Sequence, residues 1–201
     1  MTTFLLVRHG QNDHVKRGIL AGWLPDVHLN ERGRQQAEAL AAGLQSLPFK
    51  AVYASPLDRT METAQPIAAA RGLKVIERPG LGEIDVGDWQ GRSLKSLRRL
   101  RAWSIIQDRP SLFRFPGGES FPEAQARIVA ELEALRQHHS GKKDMIVCVS
   151  HSDAIKLALA HFLGLPLDLF QRLIVDPGSV SALLVGKDHI RLVRLNDTRL
   201  G

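Results

Sequence analysis

The feature that most constrains the fold lies near the start of the chain, where an apolar run ends abruptly in an arginine, a histidine and a glycine. The run covers 4–7, and Arg8, His9 and Gly10 follow it. A short continuous apolar run is typical of a strand buried on both faces of a sheet. Arg8 and His9 are therefore expected at the carboxyl end of that strand, where open α/β sheets bind their ligands. Gly10 permits a sharp turn and a close approach of the backbone to a ligand.

A second histidine follows a second apolar run. Residues 145–149 are apolar, and Ser150 and His151 come directly after them. Two parallel strands that each end in a histidine can place two imidazole rings at one edge of a sheet. From these residues alone two interpretations remain open: a hydrogen-bonded structural arrangement, or a nucleophilic histidine beside an arginine that holds an anion.

The order of elements along the chain predicts an α/β protein. Strand-length apolar runs alternate with helical periodicities, which favours three layers with a mostly parallel sheet and helices on both faces. Two strands predicted at 180–185 and 190–195 are close in sequence, so an antiparallel edge strand is expected near the C-terminus. The length predicts a single domain over 1–201, with a small helical insertion around 92–118.

Local signals predict the remaining elements. The segment 11–29 lacks a clean periodicity and contains Gly22, so it is expected to be a loop over the strand ends. Ser55 followed by Pro56 predicts a helix start with a serine cap, and 93–103 is expected to be one basic helix. The other predicted helices follow Asn30, cover 57–70, run from Glu119 or Ser120 to about His139, and cover 153–163; short strands are predicted at 51–54 and 73–77.

Composition limits the partners. The formal net charge is +6, but aromatic residues make up only 5% and do not interleave with the basic run 92–101. Nucleic-acid binding needs stacking or base-reading groups beside the cations, so no nucleic acid is expected. One cysteine, Cys148, allows no internal disulfide, and no apolar run approaches the ~20 residues that span a bilayer. Without a secretory signal pattern, a cytoplasmic protein without membrane contact is expected. The sequence leaves a monomer and a homodimer open.

Two further segments carry candidate chemistry. Arg59 lies one turn into a helix that follows a strand, where free backbone N–H groups favour phosphate and a guanidinium group adds a bidentate clamp. A surface salt bridge to Asp58, Glu62 or Glu83 is the alternative. Glu83 lies in the glycine-rich loop 81–91 and can be a general acid if burial raises its pKa. An ordinary solvated carboxylate is the alternative there.

Together these motifs resemble the histidine phosphatase superfamily, the phosphoglycerate mutase-like group. Leu-Val-Arg-His-Gly at 6–10 is similar to the opening motif of that family. The resemblance extends from residue 4 to about residue 155, and the order of the segments makes it specific. The other matching segments are 29–33 with Gln36 and Ala37, 55–57 with Arg59, Thr60, Thr63 and Ala64, Leu81 to Gly91, 116–120 and 149–151.

The resemblance implies a site and a reaction. His9 would attack phosphorus and become a phosphohistidine, while Arg8, Arg59 and a protonated His151 would bind the phosphoryl oxygens. Glu83 would protonate the leaving oxygen and then accept a proton from the incoming water. A phosphomonoester carries close to two negative charges at neutral pH, which two guanidinium groups can balance. The expected partner is a small phosphorylated metabolite, with no metal and no cofactor.

Three positions differ from the family pattern. Asn12 and Val15 stand where the family often has a hydroxyl residue and an asparagine, and Ser152 stands where glycine often follows the second histidine. Asn12 is expected to bind phosphate in place of the hydroxyl, and Ser152 through its backbone N–H. Gly22, in the overlying loop, is also expected to contact substrate. Trp23, Trp89 and Trp103 are each compatible with the core or with the pocket wall, and only Trp89 lies in a segment that favours the site.

Alternative activities remain open. A mutase-type phosphoryl transfer shares the first half-reaction, but recognised mutases usually carry a middle insertion where this chain is short. A catalytically silent module that binds a phospho-ligand is also compatible with the fold, since fold does not fix function. A metal-dependent hydrolase would use His9, His14, His151 and Asp153 as ligands, but their spacing matches no ligand motif and the guanidinium groups would repel a cation.

Overall fold

A six-stranded sheet lies at the centre of the computed structural model, which describes residues 1–141, 143–187 and 189–199. The strands are β1 (Thr2–Arg8), β2 (Val52–Ala54), β3 (Val75–Glu77), β4 (Asp144–Ser150), β5 (Val180–Val185) and β6 (Ile190–Asp197). Their order across the sheet is β3-β2-β4-β1-β5-β6. The first four strands along the chain run parallel, whereas β5 is antiparallel to β1, and β6 is antiparallel to β5.

This topology confirms the predicted α/β fold with an antiparallel edge near the C-terminus. β5 and β6 pair from Val180 with Asp197 to Val185 with Ile190. One residue of the connection between them, Asp188, lies outside the described residues.

Helices cover both faces of the sheet. Along β1, Phe4 and Leu6 enter one apolar core and Leu5 and Val7 enter another, as expected of a strand buried on both sides. The helices are α1 (Asp13–Arg17), α2 (Glu31–Leu44), α3 (Asp58–Ala69), α4 (Leu94–Leu97), α5 (Arg101–Asp108), α6 (Phe121–His138) and α7 (Ser152–Phe162). The first core includes side chains of α6 and α7, and the second includes side chains of α2 and α3.

The register of the parallel strands brings three strand ends to one edge. Arg8 of β1 pairs with Ser150 of β4, and Ala54 of β2 pairs with Val149 of β4. Each of these strands is followed by a polar candidate residue. The sheet therefore delivers His9, Ser55 and His151 to the same edge.

Three sequence predictions about local structure are wrong. The segment 11–29 is not entirely a loop, because Asn12 caps the short helix α1. Ser55 does not cap a helix, because α3 begins at Asp58 after an extended Leu57. The helix predicted at 93–103 is broken into α4 and α5.

The break between α4 and α5 follows from burial. Leu97 is fully buried in the core, and Leu100 packs against that core in an extended conformation, with φ −79° and ψ 140°. The chain changes direction at Leu100 because both leucines reach the same core. α4 and α5 lie within 92–118, while the division of the chain into one domain with an insertion stays a prediction.

Over the described ranges, the helices are too short or too polar for any of them to cross a bilayer.

Candidate active site

The first strand delivers Arg8 and His9 to a crowded turn. The backbone N–H of Gly10 donates to Thr63 Oγ1 at 3.0 Å. A β-carbon at Gly10 would lie 2.5 Å from the carbonyl oxygen of Gly33, so only glycine fits. This close packing fixes the position of the histidine before it.

His9 has one ring nitrogen engaged and one free. Its Nδ1 lies 2.7 Å from the carbonyl oxygen of Gly10. Because a carbonyl only accepts, Nδ1 carries the proton in the neutral ring and Nε2 keeps its lone pair. Burial lowers the pKa of His9 well below its usual value, and the charges of Arg59 and Arg8 lower it further. His9 is therefore a neutral imidazole at neutral pH, with Nε2 available for attack.

The second strand places His151 against His9. The two ring centroids are 5.2 Å apart, in an edge-on arrangement. His151 Nε2 lies 2.9 Å from Ser55 Oγ, and its Nδ1 is buried without a hydrogen-bond partner. Burial first, then Arg59 and His9, lower the pKa of His151 well below its usual value. The protein's own environment thus keeps His151 neutral, contrary to the expected protonated ring.

Two arginines reach the same edge with part of each guanidinium unpaired. Arg59 is 2% exposed; its Nη2 donates to the carbonyl of Gly22 at 2.7 Å, and its Nη1 has no partner. Arg8 donates from Nη1 to the carbonyl of Val175 at 2.7 Å, while its Nε has no partner. Burial lowers the pKa of Arg8, and that of Arg59 to about 10.

Within the described residues, neither arginine forms a salt bridge. The surface salt bridge considered for Arg59 is not formed, since Glu62 pairs with His28, and Asp58 accepts from the backbone of Asp26. A buried cation without a counter-ion is costly, so side chains held in this way favour binding of an anion.

Glu83 faces the same pocket. Its Oε1 accepts two hydrogen bonds, from the backbone N–H of Ile84 at 3.0 Å and from the backbone N–H of Ala154 in α7 at 3.3 Å. Burial raises its pKa, and the charge of Asp153 raises it further. A carboxyl group with a raised pKa can remain protonated nearer to neutral pH and can then donate a proton.

One pocket of about 320 Å³ brings the predicted residues together, and its size lies within the range of ligand pockets. Arg8, His9, Arg59 and Glu83 line it, and His151 lies in contact distance behind His9. The rest of the wall is largely apolar, with a few polar side chains. Those lining residues are Val15, Ile19, Leu20, Ile84, Val86, Leu94 and Trp103, with Arg98, Gln107, Asp153 and Gln171.

The three predicted substrate-binding residues also line this pocket. Asn12 is 1% exposed; its Oδ1 caps α1 by accepting from the N–H of Val15, and its Nδ2 has no partner. Gly22 has φ +54° and supplies the carbonyl that holds Arg59. Ser152 is the first residue of α7, and its hydroxyl lies 3.4 Å from the carbonyl of Val175. Asn12 thus keeps an amide N–H₂ free after capping.

The expectation for Trp89 is wrong. Trp89 is buried in the core, where its ring lies 5.5 Å from Phe113 and 5.5 Å from Phe115. The aromatic side chain that lines the pocket is Trp103 of α5. Trp23 also lies near the site, because its indole N–H donates to the carbonyl of Glu83 at 2.6 Å.

The described residues do not assemble the ligand set that was weighed as an alternative for a metal-dependent hydrolase. In the part of the chain that the structure describes, the single group of three ligand-type side chains close enough to share a metal is Asp26, His28 and Asp58. It contains none of the four residues that a metal-dependent hydrolase was expected to use. Asp26 and His28 are exposed on the surface.

Sequence reasoning missed the residues that support the site from behind. Ser55 was interpreted as a helix cap, although it contacts His151. Arg127 of α6 gave no sequence signal, yet it contacts the backbone of the Glu83 loop. Ser55 could have been found from its position directly after a strand that ends at the same edge.

A pocket at the strand ends of a parallel sheet, with two histidines and two incompletely paired arginines, is typical of proteins that process phosphate groups. The family model of the histidine phosphatase superfamily (branch 1) matches residues 4–198. The chain belongs to this superfamily.

Individual relatives include phosphatases and a mutase. Phosphoserine phosphatase 1 of Hydrogenobacter thermophilus is 32% identical, over 98% of this chain and 93% of its own length. The 2,3-bisphosphoglycerate-dependent phosphoglycerate mutase of Thermoplasma acidophilum is 33% identical, over 81% of this chain and 77% of its own. A mutant phosphoserine phosphatase from Entamoeba histolytica, in complex with phosphoserine, has a TM-score of 0.90 at 25% identity and covers 100% and 99% of the two chains.

Proposed function

We propose that the protein is a metal-independent phosphomonoester hydrolase that acts on a small phosphorylated metabolite through a phosphohistidine at His9. The observation that carries the proposal is a pair of guanidinium groups, buried at Arg59 and partly buried at Arg8, each with an unpaired nitrogen, in the pocket that His9 lines with its free Nε2. Two such cations match the charge of a phosphate dianion. They also supply the positive charge that a metal ion provides in other phosphatases.

The first step is in-line displacement at phosphorus. Nε2 of His9 forms a bond to phosphorus as the bond from phosphorus to the ester oxygen breaks. The proton of the Glu83 carboxyl group passes to that oxygen, so an alcohol leaves rather than an alkoxide. The raised pKa of Glu83 and the lowered pKa of His9 suit these two roles. Arg8 and Arg59 stabilise the charge on the transferring oxygens.

The second step regenerates the enzyme. The Glu83 carboxylate accepts a proton from a water molecule, whose oxygen bonds to phosphorus while the bond from phosphorus to His9 breaks. Inorganic phosphate leaves, and His9 and Glu83 return to their first protonation states.

His151 contributes a donor from its free nitrogen. When the Ser55 hydroxyl donates to Nε2 of His151, Nδ1 carries the proton and becomes a free donor for a phosphoryl oxygen. The negative charge of bound phosphate raises the pKa of His151, against the effect of the neighbouring arginines. We propose Asn12 Nδ2, the backbone of Ser152 and Gly22 as further contacts of the substrate.

Mutase-type transfer is the second candidate, because the similarity to the Thermoplasma mutase favours it. It differs only in the acceptor of the phosphoryl group, which is a second metabolite rather than water. Release of inorganic phosphate without a second phosphorylated compound distinguishes hydrolysis.

The test is phosphate release from a panel of phosphomonoesters in the presence of EDTA. We expect the wild type to release phosphate and His9→Ala to lose at least ~100-fold in rate, the scale of an essential catalytic group. His161→Ala, an exposed histidine at the end of α7, is the matched control and should keep wild-type activity. Failure of the wild type on every ester, or activity restored only by added metal, would contradict the proposal.

A further inference from the structure

Several backbone carbonyls in the loop that carries Glu83 do not take part in the hydrogen bonding of a strand or an α-helix. Four successive carbonyls, from 80 to 83, instead accept hydrogen bonds from side chains of distant elements. Ser150 Oγ donates to the carbonyl of Leu81 at 2.6 Å, and Trp23 Nε1 donates to that of Glu83 at 2.6 Å. The remaining bonds all come from Arg127 of α6. The conformation of this loop is therefore set by a few side chains.

Arg127 uses all five of its N–H donors. Nη1 donates to the carbonyls of Gly80 and Gly82 at 3.1 and 3.0 Å, and Nη2 donates to that of Glu83 at 3.0 Å. Nε and Nη2 also donate to the two carboxylate oxygens of Glu119, each at 2.8 Å. A guanidinium group presents five donors in a rigid plane, so this geometry fixes the loop relative to α6.

Glu119, the carboxylate partner of Arg127, also holds the backbone on the other side of Glu83. Its Oε2 accepts from the backbone N–H of Asp85 at 2.9 Å, and its own N–H donates to the carbonyl of Asp85 at 2.8 Å. The backbone is thus held on both sides of Glu83. The side chains of Arg127 and Glu119 are 24% and 23% exposed, which strengthens the ion pair relative to one on the surface.

We propose that Arg127, held by Glu119, is the positioning residue of the general acid: it fixes the backbone at 80–83 so that the Glu83 carboxyl group faces the leaving oxygen. This inference rests on the proposed role of Glu83. Arg127 itself does not touch the reacting atoms. A small displacement of a catalytic group can cost ~100-fold in rate. A loosened loop would therefore reduce proton donation by Glu83, while Arg8 and Arg59 would still bind the phosphoryl group.

The test compares two leaving groups in the variant Arg127→Lys. An ammonium group has three donors and cannot replace the five bonds. For an alkyl phosphate that the wild type hydrolyses, kcat should fall ~100-fold, because an alkoxide needs the proton of Glu83. For p-nitrophenyl phosphate, whose leaving anion is stable without a proton, kcat should fall less than ~10-fold. KM should change little for either substrate, since Arg8 and Arg59 are untouched.

Arg136→Lys is the matched control. Arg136 lies on the same helix and pairs with Glu133 at 2.7 Å, but neither side chain contacts the loop. The control should leave both substrates at wild-type rates. Glu119→Gln provides a second, milder variant in case Arg127→Lys does not fold, as judged by circular dichroism. It should show the same preference for the p-nitrophenyl ester, with a smaller loss.

Glu83→Gln separates this inference from the proposed function. If Glu83→Gln lowers kcat equally for both substrates, Glu83 is not the general acid, and the inference about Arg127 fails as well. A second outcome overturns only the positioning role of Arg127. In that outcome Glu83→Gln lowers kcat more for the alkyl phosphate than for p-nitrophenyl phosphate, whereas folded Arg127→Lys and Glu119→Gln lower kcat equally for both substrates or not at all.

Discussion

At the scale of single residues, the site is built from groups whose protonation and pairing suit a bound anion. The buried guanidinium of Arg59 has one nitrogen on a backbone carbonyl and one unpaired. Such a group lowers the stability of the protein without ligand, and under the proposed function a phosphoryl oxygen of the substrate would be its missing partner. The charge of Arg59 is therefore expected to favour anion binding while it lowers the stability of the free protein.

Replacement of Arg59 by methionine tests this opposition. We expect Arg59→Met to lose phosphatase activity and yet unfold at a temperature no lower than that of the wild type, because the cost of the buried charge is removed. Inorganic phosphate at 100 times its Kd should stabilise the wild type by about 2.7 kcal/mol and the variant hardly at all. Thermal scans with and without phosphate measure both effects.

The exposed Arg71 is the matched control for Arg59. Its guanidinium donates to the carbonyl of Gln45 and lies over Phe49, away from the pocket. Arg71→Met should respond to phosphate like the wild type. A variant Arg59→Met that phosphate stabilises as strongly as the wild type would contradict the anion role of Arg59.

Which residues the sequence could reveal depends on how local their signal is. Arg8, His9 and His151 follow strongly apolar strands, so their place at one edge could be predicted from the chain alone. Ser55 has the same positional signal because it follows β2, but the Ser-Pro pair equally fits a helix cap, so the sequence offered two interpretations for it. Arg127 makes its contacts with a loop far away in sequence, and a helix periodicity does not indicate such partners.

At the scale of elements, the strand ends supply Arg8 and His9 to the pocket, and α1, α4 and α5 supply much of the rest of its wall. Leu94 and Arg98 reach the pocket from α4 and its C-terminal end, and Trp103 reaches it from α5. The sequence indicated a helical segment here but not its break at Leu100, because that break depends on contacts with the core. Helix propensity alone favours one continuous helix over 93–103.

Arg98, at the C-terminal end of α4, is the residue that we expect to influence which substrates the pocket prefers. It is exposed, lines the pocket and makes no salt bridge among the described residues. A free cation there favours a substrate with a second anionic group, such as a carboxylate. Arg98→Met should raise KM for carboxylate-bearing phosphate esters by roughly 2- to 5-fold, because an exposed charge pair contributes up to about 1 kcal/mol.

Steady-state kinetics with phosphoserine and p-nitrophenyl phosphate measure this effect. The KM for p-nitrophenyl phosphate, which has no carboxylate, should change much less. Arg99→Met is the neighbouring control, because Arg99 is exposed and does not line the pocket. Equal changes of KM for both esters would exclude a carboxylate contact at Arg98.

At the scale of the whole molecule, the parallel sheet makes the site possible. β1 and β4 are adjacent and in register, so the residues that follow them meet although more than half the chain separates them in sequence. α3 adds Arg59 from one face of the sheet. From the other face, α6 fixes the Glu83 loop through Arg127. The three layers therefore converge on one pocket.

The central claim is that His9 carries the phosphoryl group between the two half-reactions. The most direct test is rapid quenching with alkali after incubation with a ³²P-labelled phosphomonoester, followed by digestion and identification of the labelled peptide. We expect an acid-labile label on His9 that appears and decays during turnover and is absent from His9→Ala. Turnover of the wild type with no label at His9, or with the label on His151, would contradict this account.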